Sequence, residues 1–243
     1  MTRVLLLLRA VATLAPLLLG QAAICPFPVS AAEAGDIGDL PLVELPGPRS
    51  DPILVLFLSG DGGWRDLDKT IGERLAAEGL QVVGFDSLHY FWHRRSADEL
   101  ARDLTRTLDH YREAWGSKRF VLAGYSFGAD VLPAALARLD PALRKSVLKV
   151  VLLGLSDRAS FEIHPTEWLG IRAPGTPVLP EARQMDMARV LCISGRQEKI
   201  SLCRDPVFAG AERIETSGGH HFNGDYDGLA NRILASIRRA EGA

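Results

Sequence analysis

The sequence predicts an α/β fold built on a mostly parallel sheet. Short runs that are apolar throughout recur from residue 53 onwards, and they alternate with segments whose apolar residues have helical spacing. Strands that are apolar throughout are typical of a parallel sheet, since helices cover both of its faces. The composition, 47% hydrophobic and 24% charged, suits a globular domain with one core. We therefore expect about six strands, mostly parallel, with helices on both faces.

The predicted elements follow one another along a single domain at residues 52–243, after an entry segment at 32–51. The strands cover residues 53–58, 81–85, 120–123, 148–155, 190–193 and, with a weaker pattern, 211–215. The helices cover residues 67–78, 96–115, 131–139 and 226–239.

One segment, residues 156–187, interrupts the alternation. It contains Pro165, Pro174, Pro177 and Pro180 and shows little periodicity. Irregular segments of this length in a compact domain are usually functional. We expect an insertion that borders the active site.

The first 31 residues have the pattern of a secretory signal peptide. Arg3 and Arg9 accompany a long apolar stretch at residues 4–19, and small residues precede a predicted cleavage site after Ala31 or Ala32. An uncleaved membrane anchor is the alternative, although Arg9 and Pro16 interrupt the apolar stretch. A lipoprotein signal at Cys25 is disfavoured, because Ile24 stands where a small residue is required. We expect export and cleavage.

The charge balance argues against nucleic acid as a partner. The chain has 28 basic and 30 acidic residues, a formal net charge of -2. Cleavage would remove two arginines and no acid, so the mature domain would be more acidic still. Nucleic-acid binding proteins usually carry a basic surface, which this composition does not provide.

Two cysteines would remain after cleavage, Cys192 and Cys203. In an oxidising compartment, two cysteines close in sequence suggest a disulfide. A pair of buried thiols is the alternative.

The strongest chemical motif is Gly124-Tyr125-Ser126-Phe127-Gly128, a G-x-S-x-G sequence between a predicted strand and a predicted helix. Glycines on both sides of the serine permit a sharp strand-to-helix turn, which projects the hydroxyl from the end of the sheet. Ser126 is therefore the candidate nucleophile. A serine that merely begins a helix is the alternative.

A serine nucleophile needs a base, and the base needs an acid to orient it. In folds with this motif the acid precedes the histidine in the chain. Glu198 follows the fifth predicted strand and is the candidate acid, with Asp205 as the alternative. His220 follows two glycines after the sixth strand and is the candidate base, with His221 as the alternative.

Backbone N–H groups are needed to stabilise the oxyanion that forms during acyl transfer. One candidate donor is Phe127, which directly follows the serine. The other is Asp61 or Gly62, in the glycine-rich loop after the first predicted strand. That loop lacks both a Gly-Lys-Ser/Thr ending and G-x-G-x-x-G spacing, so we expect no nucleotide site and no cofactor.

Other polar residues have ordinary explanations. His89 and His93 are spaced to share a helical face, but no third metal ligand is evident nearby, so no metal site is expected. Asp86 ends a strand and Asp130 begins a helix, positions typical of capping or packing. Residues 90–92 are aromatic and are expected to cover the pocket or the core.

Several motifs together resemble the AcvB and VirJ family of bacterial virulence proteins. They are Leu58 to Trp64, the segment of Tyr90 and Trp92, Gly124 to Asp130, Phe161 with Trp168-Leu169-Gly170, and Gly218 to Phe222. The resemblance covers about residues 52–238. It implies an α/β-hydrolase fold and a periplasmic protein of the short, single-domain form.

The resemblance also implies a reaction. The AcvB branch is associated with hydrolysis of lysyl-phosphatidylglycerol, an aminoacyl ester that Ser126 would attack through an acyl-enzyme. Trp64, Tyr125, Phe161 and Trp168 are expected to line the substrate pocket. A cationic lysyl group would favour an acidic pocket. The acids in segments expected to flank the site are Asp61, Glu162, Asp225 and Asp227, although solvation or helix capping is the favoured role of each.

Two other functions remain open. The first is a serine esterase or thioesterase with the same triad and another substrate. The second is a non-catalytic adaptor in the cell envelope, because VirJ-like members are linked to type IV secretion. Envelope or secretion-system proteins are therefore possible partners, besides a lipid substrate at the membrane surface.

Overall fold

The computed structural model describes residues 36–166 and 174–242. These residues belong to one unit that spans Glu33–Ala243. The predicted signal peptide and the predicted pocket residue Trp168 lie outside the described residues.

Seven strands form one sheet and two more form a small separate pair. Their bounds are Leu42–Glu44 (β1), Ile53–Leu58 (β2), Gln81–Phe85 (β3), Arg119–Tyr125 (β4), Val147–Leu153 (β5), Arg158–Ala159 (β6), Thr176–Pro177 (β7), Val190–Gly195 (β8) and Glu212–Thr216 (β9). The large sheet has the order β1-β3-β2-β4-β5-β8-β9. All of its pairings are parallel except that of β1 with β3. The predicted α/β-hydrolase architecture is confirmed.

Seven α-helices accompany the strands in the described part of the chain. They are Asp66–Ala77 (α1), Ser87–Tyr90 (α2), Ala97–Trp115 (α3), Phe127–Arg138 (α4), Pro141–Lys145 (α5), Leu179–Ala182 (α6) and Tyr226–Glu241 (α7).

Both faces of the sheet are buried. Successive side chains of β2 enter two different apolar clusters: Leu54, Leu56 and Leu58 join one, whereas Ile53, Val55 and Phe57 join the other. Because neighbouring side chains of a strand point to opposite faces, the clusters lie on opposite sides of the sheet. Helices α3 and α4 contribute to the first cluster, and α1 and α7 contribute to the second.

The structure differs from the predicted elements at the edges of the sheet and at the fourth helix of the chain. Strand β1 was not predicted, because it has only three residues and none of them is fully buried. Strand β9 alternates between less and more exposed residues, as expected for an edge strand, which explains its weak sequence pattern. Helix α4 begins at Phe127 rather than at residue 131, because Gly128 and Ala129 obscure the apolar period.

The insertion at residues 156–187 has little regular structure in its described part. It contains the antiparallel pair of β6 and β7 and the short helix α6. Over residues 36–166 and 174–242, the helices are all too short or too polar to span a bilayer.

A disulfide joins Cys192 in β8 to Cys203 in the 3₁₀ turn Leu202–Arg204. The bond closes the loop that contains Glu198, the candidate acid.

Candidate active site

Ser126 lies in a strained turn between β4 and α4. Its backbone angles are φ 53° and ψ -118°, which non-glycine residues rarely adopt. A Cβ atom at Gly124 would lie 2.6 Å from the carbonyl carbon of Gly128, and one at Gly128 would lie 2.6 Å from the carbonyl oxygen of Ser59. Both glycines of the motif are therefore required for the sharp turn that projects the serine hydroxyl.

Three side chains form a continuous hydrogen-bonded chain at this turn. Ser126 Oγ lies 2.7 Å from His220 Nε2, and His220 Nδ1 lies 2.6 Å from Glu198 Oε1. The second carboxylate oxygen of Glu198 accepts a hydrogen bond from the amide of Gly195, at 2.8 Å. The Glu198 side chain is only 4% exposed, and these two hydrogen bonds satisfy its buried carboxyl oxygens. The arrangement has the geometry of a serine, histidine and acid triad.

The alternative residues have other partners. Asp205 caps the 3₁₀ turn Pro206–Gly210 by accepting a hydrogen bond from the amide of Val207. His221 Nδ1 lies 2.9 Å from the hydroxyl of Tyr125. Neither residue belongs to the chain of Ser126, His220 and Glu198.

Gly154, which the sequence analysis did not single out, makes room for the histidine. It follows β5 with a φ of +66°, and a Cβ atom there would lie 2.8 Å from His220 Cε1 and 3.2 Å from Glu198 Oε1. Any larger residue would displace the imidazole. A glycine directly after a central strand was the available signal, because the ends of parallel strands form the site.

The predicted oxyanion residues lie together. Phe127, Asp61 and Gly62 line the same cavity as Ser126. The loop that carries Asp61 and Gly62 closes through a bond from the Gly63 amide to the Gly60 carbonyl, at 3.1 Å.

A cavity of about 630 Å³ opens at Ser126 and extends between the glycine-rich loop and the insertion. Both signs of charge are present on its walls. The charged residues that line it, besides the histidines, are Asp61, Asp66, Asp68, Asp130, Arg65 and Arg158.

The structure corrects part of the predicted pocket. Tyr125 lines the cavity, but Trp64 and Phe161 do not. The Trp64 ring packs edge-on against Phe57 at 5.7 Å, in a slot that Gly84 leaves open. Phe161 packs against Phe91, with ring centroids 6.2 Å apart. Both rings are partly buried and pack against the apolar clusters rather than lining the cavity.

Three of the four acids in the segments expected to flank the site do not line the cavity. Glu162 pairs with Arg94, Asp227 pairs with Arg74, and Asp225 caps α7. Only Asp61 lines the cavity.

Asp66 and Asp68 line the cavity without having been predicted from the sequence, and Asp130 was predicted only to cap or to pack. Asp66 and Asp68 stand in the first turn of α1, directly after the glycine-rich loop. Asp130 stands one helical turn after the serine, and its carboxylate accepts hydrogen bonds from Ser156 rather than from an amide of its own helix. The sequence signal for all three residues was their position just after the glycine-rich loop or just after Ser126.

Two of these carboxyl groups have shifted acidity. Burial raises the pKa of Asp68 to about 7, although the amides of Arg65 and Gly60 act against the shift. Burial likewise raises the pKa of Asp130 to about 7, although hydrogen bonds from Ser156 act against it. Raised carboxyl pKa values are common at functional sites, where groups are desolvated.

The two histidines considered for metal binding do not form a centre. His89 Nδ1 lies 2.7 Å from Asp86 Oδ2, and the Asp86 carboxylate also caps α2. Across the described parts of the chain, no three His, Cys, Asp or Glu side chains are grouped so that they could hold a metal ion.

Comparisons with known proteins agree with this architecture. Residues 52–241 match the model of the family described as bacterial virulence protein (VirJ). Among curated proteins, none matches the chain significantly.

Solved structures share the fold at low sequence identity. A lipase-esterase related protein from Clostridium acetobutylicum has 17% identity and a TM-score of 0.58, with 81% of this chain and 98% of that chain covered. An alpha-beta serine hydrolase homologue from Coxiella burnetii has 16% identity and a TM-score of 0.54, with 82% and 89% covered. A thioesterase domain from the curacin biosynthetic pathway has 17% identity and a TM-score of 0.56, with 79% and 94% covered.

Proposed function

Because the chain belongs to the VirJ family of bacterial virulence proteins, we propose that it is a periplasmic serine hydrolase that cleaves the aminoacyl ester of lysyl-phosphatidylglycerol. The observation that carries the proposal is the chain of hydrogen bonds from Ser126 through His220 to Glu198. A buried acid, an imidazole and a serine in this order are the parts that nucleophilic acyl transfer requires.

The reaction would proceed in two stages. His220 Nε2 takes the hydroxyl proton while Ser126 Oγ attacks the lysyl carbonyl carbon. The oxyanion is stabilised by the amide of Phe127 and by that of Asp61 or Gly62. His220 then gives the proton to the glycerol oxygen, phosphatidylglycerol leaves, and a lysyl-enzyme remains. Water, activated by His220, releases lysine and restores Ser126.

The charge of the cavity supports an aminoacyl substrate. Lysyl-phosphatidylglycerol has two ammonium groups at its lysyl end and one phosphate, so it presents both signs of charge. The cavity presents the complementary set, with four carboxyl groups and the guanidinium groups of Arg65 and Arg158. A pocket for a simple fatty ester would not need such charges.

Two features support a periplasmic location. Residues 1–31 have the pattern of a signal peptide. The disulfide between Cys192 and Cys203 suits an oxidising compartment.

The direct test is lysine release from vesicles that contain lysyl-phosphatidylglycerol. We expect the purified protein to release lysine and the Ser126→Ala variant to lose at least about 10³-fold in kcat, as expected for removal of a triad nucleophile. Asp205→Asn, which alters a carboxylate outside the triad, serves as the matched control and should retain activity. Equal release by wild type and Ser126→Ala would refute the proposal.

A serine esterase or thioesterase with another substrate is the second candidate. The triad geometry favours it equally, because the same groups act on oxygen and thiol esters. A panel of acyl esters and thioesters, compared with lysyl-phosphatidylglycerol, separates the two candidates. A non-catalytic adaptor would fail to react with a fluorophosphonate at Ser126.

A further inference from the structure

Helix α4, which begins directly after Ser126, carries a carboxylate that is not part of the triad. Asp130 stands one turn after Ser126, and its amide donates to the Ser126 carbonyl at 3.0 Å. It lines the same cavity as Ser126 and His220 and is partly exposed there.

The Asp130 carboxylate is held in one orientation. Its Oδ1 accepts the amide of Ser156 and its Oδ2 accepts the Ser156 hydroxyl, both at 2.7 Å. A carboxylate has about four acceptor positions, so these two bonds leave capacity for a ligand. Preorganised groups of this kind lose little entropy when they bind.

The surroundings of Asp130 favour a cationic ligand. Burial raises its pKa to about 7, and the hydrogen bonds from Ser156 and the neighbouring imidazole of His220 act against this shift. An ammonium group bound beside the carboxylate would stabilise the ionised form in the same way.

We infer that Asp130 binds the α-ammonium group of the aminoacyl substrate. The inference rests on the proposed function. The α-nitrogen is two bonds of about 1.5 Å from the carbonyl carbon that Ser126 attacks. A charge-assisted hydrogen bond adds about 2.7–2.9 Å. Ser126 and Asp130 line the same cavity and are joined by a backbone hydrogen bond, so an ester held at Ser126 has the Asp130 carboxylate on a wall of its own cavity.

One consequence is a preference that does not depend on the amino-acid side chain. Every α-amino acid ester has this ammonium group, whereas a fatty acyl ester lacks it. The turn before α4 would therefore supply the nucleophile, and the first turn of α4 would supply the group that selects aminoacyl over plain acyl esters.

The test compares alanine benzyl ester with benzyl propionate, which differ only by the α-amino group. We expect wild type to prefer the alanine ester, and Asp130→Asn to reduce the ratio of kcat/KM values by about tenfold or more, mainly through KM. Asp140→Asn, which removes a carboxylate that caps α5 outside the cavity, is the matched control and should keep the wild-type ratio.

Ser156→Ala separates binding from a bracing role. If Asp130 acts only by holding the insertion through Ser156, both Asp130→Asn and Ser156→Ala would slow the two esters equally, and the inference is overturned. Labelling of Asp130→Asn by a neutral fluorophosphonate reports an assembled Ser126 and His220. If wild type hydrolyses both esters and Asp130→Asn keeps the wild-type ratio of kcat/KM values, only the role of Asp130 is overturned. Failure of wild type on the alanine ester overturns the aminoacyl function as well.

Discussion

At the scale of single residues, the site depends on glycines as much as on the residues of the triad. Gly124, Gly128 and Gly154 each lie where a Cβ atom would meet backbone or triad atoms within 3 Å. Ser126 can adopt its strained backbone because the flanking glycines accept the close approach. The close packing that these glycines permit therefore positions the reactive groups, together with the hydrogen bonds.

Gly154→Ala should impair catalysis. The new methyl group would meet His220 Cε1 at 2.8 Å and lie on a backbone with positive φ, so the imidazole must move from Ser126. We expect kcat to fall by about 10² or more, because misplacement of about 1 Å has effects of this size. Gly116→Ala is the matched control: its φ is +68°, but nothing lies within 4 Å of the new atom. It should lower the melting temperature slightly and leave kcat unchanged. If both variants keep kcat, Gly154 does not position the histidine.

Asp68→Asn should change how stability depends on pH. Burial raises the pKa of Asp68 from 3.8 to about 7, so the unfolded chain binds fewer protons than the folded one between these values. The Asp68 contribution to stability is therefore complete below about pH 4 and is lost as pH rises towards 7. The variant lacks this loss, and its unfolding free energy relative to wild type should increase over that window.

Urea unfolding at pH 4, 5.5 and 8 measures the effect. The exposed residue Asp66, on the same helical turn, gives the control variant Asp66→Asn, for which we expect no comparable trend. A constant difference between Asp68→Asn and wild type at all three values would contradict the prediction.

At the scale of elements, the loop after β8 connects stability with catalysis. It carries Glu198 and is closed by the disulfide between Cys192 and Cys203, which are 11 residues apart. Arg204 donates to the carbonyls of Gly195 and Glu198 at 2.8 Å each, which ties the two sides of the loop together. The loop that carries Glu198 is therefore closed by a covalent bond and braced by hydrogen bonds.

Loss of this disulfide should weaken both properties. Closing a loop of this length stabilises a fold by about 3 kcal/mol in the chain-entropy model. We expect the Cys192→Ala/Cys203→Ala variant to unfold at lower urea concentration and to have reduced kcat. Reductant should lower the stability of wild type and have no effect on the double variant. If kcat survives the double substitution, hydrogen bonds alone hold Glu198.

At the scale of the whole molecule, the sequence predicted the layers well and the pocket poorly. Central strands such as β2 and β4 are buried on both faces, so their apolar runs are plain in the sequence. The triad was predictable because its residues follow strand ends, where the chain must reach one edge of the sheet.

The pocket was not predictable for a physical reason. Trp64 directly follows the glycine-rich loop of the site. Its ring nevertheless packs away from the cavity, in the space that Gly72 and Gly84 leave open. Asp130 lies among buried residues in the first turns of α4, and its direction depends on Ser156 in the distant insertion. Such orientations depend on long-range contacts, which no local pattern contains.

The position of β9 at the edge of the sheet has a consequence for how the site is lost on partial unfolding. Among the described strands, β9 pairs with β8 alone and leads to His220, whereas Ser126 follows the central strand β4. Partial opening tends to begin at elements with few neighbours, well before the core unfolds. Fraying of this edge would separate the base from the nucleophile and leave a folded but inactive molecule. If the proposed hydrolase activity is present, heating should therefore abolish it at a lower temperature than the one at which the domain unfolds.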